Sequence, residues 1–211
     1  MAVTARALAD AAAACGRADP VLAALVQRHG TPPPRAHVPG PLRFAALARS
    51  IVYQQLAGNA AAAIHGRFAA ALGGTVTPAA VLATPPEVLA ACGLSRSKAA
   101  AITDLAERVS AGQVSLDRIG RLPDEAVVEH LVQVRGIGRW TAEMFLIGAL
   151  GRLDVWPVGD YGVRAGYARG WGLTAIPAPA ELVVHGERYR PYRSVVAWYC
   201  WRVMDERAVA D

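Results

Sequence analysis

From Leu42 onward, apolar side chains recur at helical spacing for over a hundred residues. Phe44, Leu47, Ile51 and Val52 form one such face. The pattern carries that helix on into Tyr53-Gln54-Gln55-Leu56, with Gly58 as its break. Ile64, Phe68 and Leu72 line a helix over 59–72, which Gly73-Gly74 ends. Thr77-Pro78 and Thr84-Pro85 each read as a helix start, with threonine as cap and proline first inside. Ser95 caps a helix bearing Ile102, Leu105 and Val109, and Leu122-Pro123-Asp124-Glu125 opens the one that leads to Gly136.

The ends of the chain follow the same period. Residues 1–14 read as an Ala-rich helix. Asp19-Pro20 caps and starts a second, whose face is Val21, Leu22, Leu25 and Val26 and whose stop is Gly30. Residues 31–41 are too rich in proline for a helix and predict a stiff extended connector. A helix over about 160–170 ends at Gly170-Trp171-Gly172, and a loop holding Pro177 and Pro179 follows. The last helix starts near Tyr192, carries Val195, Val196, Tyr199 and Val203, and ends by about Arg207. No segment alternates with period two, so the expectation is an all-α fold of ten or so short helices.

Composition adds limits. The chain has 211 residues, 54 % hydrophobic and only 18 % charged, and much of the apolar excess is alanine. No apolar run is long enough to span a bilayer. Asp10 interrupts the apolar part of the N-terminus, which argues against a secretory signal. Cys15, Cys92 and Cys200 are too scattered for a disulfide framework or a metal knuckle. The expectation is a protein of a reduced cytoplasm with no metal bound by side chains. A net charge of +5 suits a nucleic-acid partner. Almost all the positive charge is arginine, since Lys98 is the only lysine.

The densest chemistry lies between Leu131 and Arg164. Gly136 and Gly138 flank Ile137 between two helical segments. The amide groups at the start of the second helix, with Arg135 and Arg139 beside them, form an anion site of the kind that holds a phosphate backbone without reading sequence. A plain helix–turn–helix corner that binds nothing has the same spacing. Further on, Gly159-Asp160-Tyr161-Gly162 presents one carboxylate where a helix N-cap belongs.

Five stretches together resemble the helix-hairpin-helix DNA glycosylase superfamily that includes endonuclease III. Leu131 to Leu146 is similar to its hairpin. Phe44 to Ala63 resembles its entry helix with a Gln-Gln pair, and Gly93 to Val109 its G-L-S-x-x-K-A motif. Asp154 to Arg164 resembles its Gly/Pro loop and aspartate. Arg190 to Trp201 resembles the R-P-W-R-S ending of the alkyl-base branch, that of 3-methyladenine DNA glycosylase II, in a short form without the extra N-terminal domain.

The resemblance implies one glycosylase unit over 1–211. In it, two helical subdomains, about 42–150 and about 1–41 plus 151–211, flank a DNA-binding and active-site cleft. It implies a monomer acting on double-stranded DNA with damaged bases. An alkylated purine of the 3-methyladenine type is flipped out and released by hydrolysis, leaving an abasic site. Asp160 is the catalytic candidate: it stabilises the oxocarbenium-like sugar and orients water. Asp154, its rival, reads as a loop or surface residue.

Bifunctional relatives carry a lysine nucleophile in the hairpin; Trp140 stands at the matching position, so a monofunctional enzyme is expected. Trp140, Tyr161, Trp201 and Met144 are the candidate base pocket, with Trp156 and Trp198 as core. Arg135, Gly136, Gly138, Arg139 and Thr141 are the candidate backbone grip. Gln54, Gln55 and Leu56 are the candidates to fill the gap left by the flipped base, with helix-cap glutamines as the plainer reading. No cofactor is implied beyond the monovalent cation, Na or K, that the family often holds on hairpin carbonyls. A non-catalytic duplex-binding protein, or a glycosylase for ethenoadenine or hypoxanthine, are the alternatives.

Overall fold

The computed structural model describes residues 3–34, 37–56 and 58–208. Among these, thirteen α-helices and two single 3-10 turns form, and there is no strand. No helix is long and apolar enough to cross a membrane.

The first two helices are set by their caps. α1 (Ala5–Ala18) starts at Thr4, whose hydroxyl oxygen accepts the Ala7 N–H at 3.1 Å. It outruns its predicted end because Cys15 continues the buried face of Leu8, Ala11 and Ala12. α2 (Pro20–His29) starts at Asp19, which accepts the Val21 N–H at 2.9 Å, and ends at Gly30 with φ +69°.

A 3-10 turn at Gly40–Leu42 leads into α3 (Arg43–Tyr53), α4 (Gly58–Ala71), α5 (Pro78–Ala83), α6 (Pro86–Ala91), α7 (Arg96–Ser110), α8 (Leu116–Ile119), α9 (Asp124–Leu131) and α10 (Arg139–Gly148). Phe44, Leu47, Ile51, Phe68, Ile102, Leu105, Leu131, Ile137 and Leu146 are among its buried side chains. Thr77 and Ser95 cap as expected, accepting from Ala80 at 3.2 Å and Lys98 at 3.3 Å. Two expectations are corrected. Thr84 closes α5 by donating to the Ala80 carbonyl at 2.8 Å, so Pro85 becomes the cap of α6 and Pro86 its first residue. Helix α3 stops at Tyr53, and Gly58 starts the next helix where a break was expected.

Arg43 is buried, which apolar periodicity does not foresee. Its guanidinium is satisfied by the carbonyls of Val38 at 3.1 Å, Leu116 at 2.6 Å and Asp117 at 3.1 Å.

The chain ends with α11 (Tyr161–Gly170), α12 (Pro179–Gly186), a 3-10 turn at Glu187–Tyr189, and α13 (Arg193–Ala208). Helix α12 lies where only a loop was expected. Pro179 stands at its first position, and the Glu181 carboxylate reaches back to accept the Ala178 N–H at 2.7 Å. Gly166 lets α11 meet α13 closely: a Cβ there would collide with the Cys200 carbonyl. Asp19 is buried and accepts from Trp171 Nε1 at 2.7 Å, Tyr189 Oη at 2.6 Å and the Arg188 guanidinium. Trp171 stacks on Tyr167 at 4.2 Å between ring centroids.

By internal packing the chain divides into two units. One spans Val38–Leu150; the other comprises residues up to His37 and from Gly151 onward. The first division thus falls at His37/Val38 rather than near Leu42.

Candidate active site and nucleic-acid interface

The loop before Asp160 is splinted by the segment that opens α13. Arg193 donates to both Asp154 carboxylate oxygens, at 2.7 and 3.1 Å, and to the Asp154 carbonyl at 2.9 Å. Arg190 adds a bond to the same carboxylate at 3.0 Å. The Ser194 N–H donates to the Leu153 carbonyl, and Ser194 Oγ accepts the Val155 N–H, each at 2.9 Å. Trp156 is buried and donates its indole N–H to the Leu182 carbonyl at 2.8 Å. Asp154 is therefore half-buried and bound into an arginine clamp, not a plain loop residue.

Asp160 caps α11. Its Oδ1 accepts the Val163 N–H at 2.7 Å and the Trp201 indole N–H at 3.0 Å. One donor belongs to the backbone of α11 and the other to a side chain of α13, so the carboxylate is fixed from two elements. Gly162 leaves space for this: a Cβ there would stand 3.0 Å from Trp201 Cδ1 and 3.1 Å from Asp160 Oδ1. Trp201 is half-buried, and Tyr161 is 65 % exposed at the first position of α11. The neighbouring Cys200 is wholly buried, and burial, followed by the Asp160 charge, holds its thiol protonated. It is no nucleophile.

The second cluster is the hairpin between α9 and α10. Gly136 has φ +75°, and a Cβ on it would also press on Ala101 Cβ at 3.0 Å. Ile137 is buried and anchors the turn. Gly138 caps α10 with nothing within 4 Å of where a Cβ would lie. The helical ladder begins with the Ala142 N–H on the Gly138 carbonyl at 3.1 Å, so the start of α10 presents the positive end of its dipole at an open glycine. Asp104 pins the approach: its Oδ2 accepts the Arg135 N–H at 2.8 Å and Arg108 Nε at 2.9 Å. Burial works against ionisation of Asp104, but these donors outweigh it and hold the carboxyl below its usual range.

Three of the expected binding side chains have other tasks. Thr141 is only 3 % exposed, and its Oγ1 accepts from Gln54 Nε2 at 3.0 Å, so its hydroxyl faces the protein rather than a phosphate. Gln54 caps α3 and also donates to the Gly136 carbonyl at 3.1 Å, which makes it a brace for the hairpin rather than a gap filler. The Arg139 guanidinium is paired with Glu125, with Glu143 3.9 Å away. Gln55 and Leu56 are exposed at the turn beyond α3, and Arg135 is exposed beside Gly136.

The aromatic candidates divide between the units. Trp140, 44 % exposed, and the half-buried Met144 lie one turn apart on α10. Tyr161 and Trp201 accompany Asp160. Trp198 is half-buried, with its ring edge-on to Tyr199 and Arg202 over its face. Asp104, Arg193 and Ser194 were not singled out from the sequence, although each lies inside a quoted motif; their partners are 31 to 39 residues away. Among the described residues, no group of His, Cys, Asp and Glu could hold a metal ion.

The model of the HhH-GPD superfamily of base excision DNA repair proteins matches residues 48–189. DNA-3-methyladenine glycosylase 1 of Schizosaccharomyces pombe is 37 % identical over 159 residues, 74 % of this chain and 70 % of that protein. Among solved structures, the S. pombe 3-methyladenine DNA glycosylase in complex with abasic DNA superimposes with a TM-score of 0.82 at 33 % identity, covering 92 % of this chain and 95 % of that one. A DNA-3-methyladenine glycosidase from Bacillus halodurans gives 0.80 at 32 % identity, covering 92 % and 88 %.

Proposed function

The chain belongs to the HhH-GPD superfamily of base excision DNA repair proteins, and we propose that it is a monofunctional glycosylase that hydrolyses alkylated purines of the 3-methyladenine type from duplex DNA. The observation that carries this reading is the fixed Asp160 carboxylate, held by the Val163 N–H and the Trp201 indole on a loop clamped by Arg193 and Ser194. Loss of the base leaves positive charge on the sugar. A carboxylate already immobilised stabilises that charge without reorganising at the moment of reaction, and it can align the attacking water.

Trp201 and Tyr161 are the stacking surfaces beside that carboxylate, and an electron-rich ring favours a cationic alkylated purine. The start of α10 and Arg135 take the phosphate backbone. Gln55 and Leu56 fill the gap left by the extruded base.

Lyase chemistry lacks its amine. Trp140 stands in the hairpin where bifunctional relatives carry lysine, and Lys98 Nζ donates to the Val52 and Gln54 carbonyls, each at 2.7 Å. The hairpin carbonyls of Leu131, Val134 and Gly136 each accept one hydrogen bond and keep a second lone pair, so they suit a weakly held monovalent cation. No step of base release passes through it.

Incubation with duplexes carrying 3-methyladenine, 7-methylguanine, ethenoadenine or hypoxanthine, followed by alkali, tests the proposal. Release of the methylated purines, with strand breaks only after alkali, is expected. Breakage without alkali overturns the monofunctional reading, and release of the other two bases alone overturns the substrate class. Binding without any base release favours the non-catalytic alternative.

A further inference from the structure

Helix α3 ends in an unusual way. Its C-cap is Gln54, and the next residue, Gln55, has φ +56°, a left-handed conformation that disfavours side chains other than glycine. Leu56 follows, 39 % exposed, its N–H reaching the Tyr53 carbonyl at 3.4 Å. An exposed leucine beside a left-handed glutamine is a costly way to finish a helix unless the turn is held for a purpose.

It is held from two sides. Lys98, in the first turn of α7, donates to the carbonyls of Val52 and Gln54. Those two carbonyls belong to the last turn of α3 and its cap, where the negative end of the helix dipole concentrates. The Gln54 side chain donates to the Gly136 carbonyl and to Thr141 Oγ1, joining the turn to the hairpin. Among the described residues no carboxylate pairs with Lys98; the sole lysine of the chain spends its charge on backbone oxygens. Burial lowers the tendency of that ammonium to stay charged, so the arrangement has a cost that a surface lysine avoids.

We propose that Lys98 is a positioning residue for base extrusion: by gripping the Val52 and Gln54 carbonyls it sets Gln55 and Leu56 as a rigid wedge for the gap in the duplex. The wedge role of Gln55 and Leu56 is the reading given above, and the Lys98 role rests on it. Lys98 touches neither substrate nor reacting atoms. It acts by keeping the turn from relaxing, so that the unfavourable backbone of Gln55 is already in place when the base leaves the stack. Gln54 supplies the register between this wedge and the phosphate-binding start of α10.

The consequence is selective. A lesion in a stable base pair depends on the wedge, because unstacking and unpairing must be offset. A lesion opposite an abasic site, already poorly held, depends on it much less. Single-turnover release of 7-methylguanine is therefore measured in both contexts for Lys98→Met, Leu56→Ala and the double variant, with melting temperature and circular dichroism followed in parallel.

Lys98→Met is expected to slow release from the paired context by about tenfold or more, the worth of a charge-assisted hydrogen bond. It is expected to change release opposite the abasic site by no more than about twofold. The double variant should be little slower than Leu56→Ala, because both changes act through one wedge. Equal slowing in both contexts, or full additivity with Leu56→Ala, overturns the Lys98 role while leaving the wedge intact. No effect of Leu56→Ala in the paired context overturns the wedge itself. Should Lys98→Met fail to fold, Lys98→Gln retains a neutral amide in place of the charged donor, and the same contrast between the two contexts, at about threefold, decides the matter.

Discussion

The Trp201 indole N–H donates to Asp160 Oδ1 at 3.0 Å, across 41 residues of sequence. The Val163 N–H meets the same oxygen at 2.7 Å. Both donors are groups of the protein itself, one a backbone amide and one an indole, so the carboxylate is held by the fold rather than by water.

Asp160→Asn separates chemistry from architecture. Asparagine caps a helix as well as aspartate does, so α11 should persist and the melting temperature should hardly move. Base release should fall by at least about 100-fold, while binding to a duplex measured by anisotropy is retained. Trp201→Phe keeps a ring but loses the N–H, and its release rate should drop about tenfold. A variant Asp160→Asn as active as the parent would remove the residue from the mechanism.

Two glycines in α11 should fail in different ways when given a methyl group. At Gly166 the new Cβ meets the Cys200 carbonyl, a backbone atom that cannot move aside alone. Gly166→Ala should destabilise by about 2 kcal/mol or more in chemical denaturation. At Gly162 the neighbours are the Trp201 ring and the Asp160 carboxylate, which can shift by a few tenths of an ångström. Gly162→Ala should therefore lower kcat with little change in stability.

Acid should weaken the unit that holds Asp19. Burial pushes this carboxyl up, but donors from Tyr189, Trp171 and Val21, with the Arg188 charge, outweigh it and hold it below its ordinary value. The stability it contributes is complete above the unfolded carboxylate range, near about 4, and is lost as pH falls through the lower folded value. Melting temperature followed downward from pH 6 should fall below that range. Asp19→Asn should already be less stable at pH 7, by about 2–4 kcal/mol, and should show a flatter acid limb.

Arg139 is expected to bind DNA better once its acidic partner is neutralised. Glu125 pairs with it, and both side chains are mostly exposed. The arginine hydrogen bond and charge hold the Glu125 carboxyl low, so the pair persists at neutral pH. Glu125→Gln should raise affinity for undamaged duplex about two- to fivefold at low salt, the scale of an exposed ion pair. The slope of log affinity against log salt should steepen by about one contact. An unchanged slope would mean that Arg139 does not reach a phosphate.

The helical fold was legible because caps and apolar spacing are local. Asp19-Pro20, Thr77-Pro78 and Ser95 each announce a helix within four residues, and each was found capping one. Helix α12 was hidden because two prolines read as loop, although Pro179 suits a first helical position. The end of α3 was misplaced for a different reason. Nothing in Tyr53-Gln54-Gln55-Leu56 forbids helix; the tertiary pull of Lys98 and of the hairpin opens it.

The site shows the same divide. Asp160 and the Gly136–Gly138 turn were visible through local motif and resemblance. That Gln54 braces the hairpin, that Thr141 faces inward and that Arg193 splints the loop before Asp160 depend on partners 39 to 87 residues away, which no local pattern encodes.

The division of the chain has an order in time built into it. Val38–Leu150 is an insertion within the other unit, whose two parts lie on either side of it in sequence. As the chain leaves the ribosome, the inserted unit with its hairpin can fold while the α13 residues are still unmade, since domains form largely as they emerge. Asp160 is translated 41 residues before the indole that steadies it. A nascent chain can thus complete the turn between α9 and α10 well before it completes the bonds around Asp160, and a ribosome stalled short of Trp201 would carry that carboxylate without its indole donor.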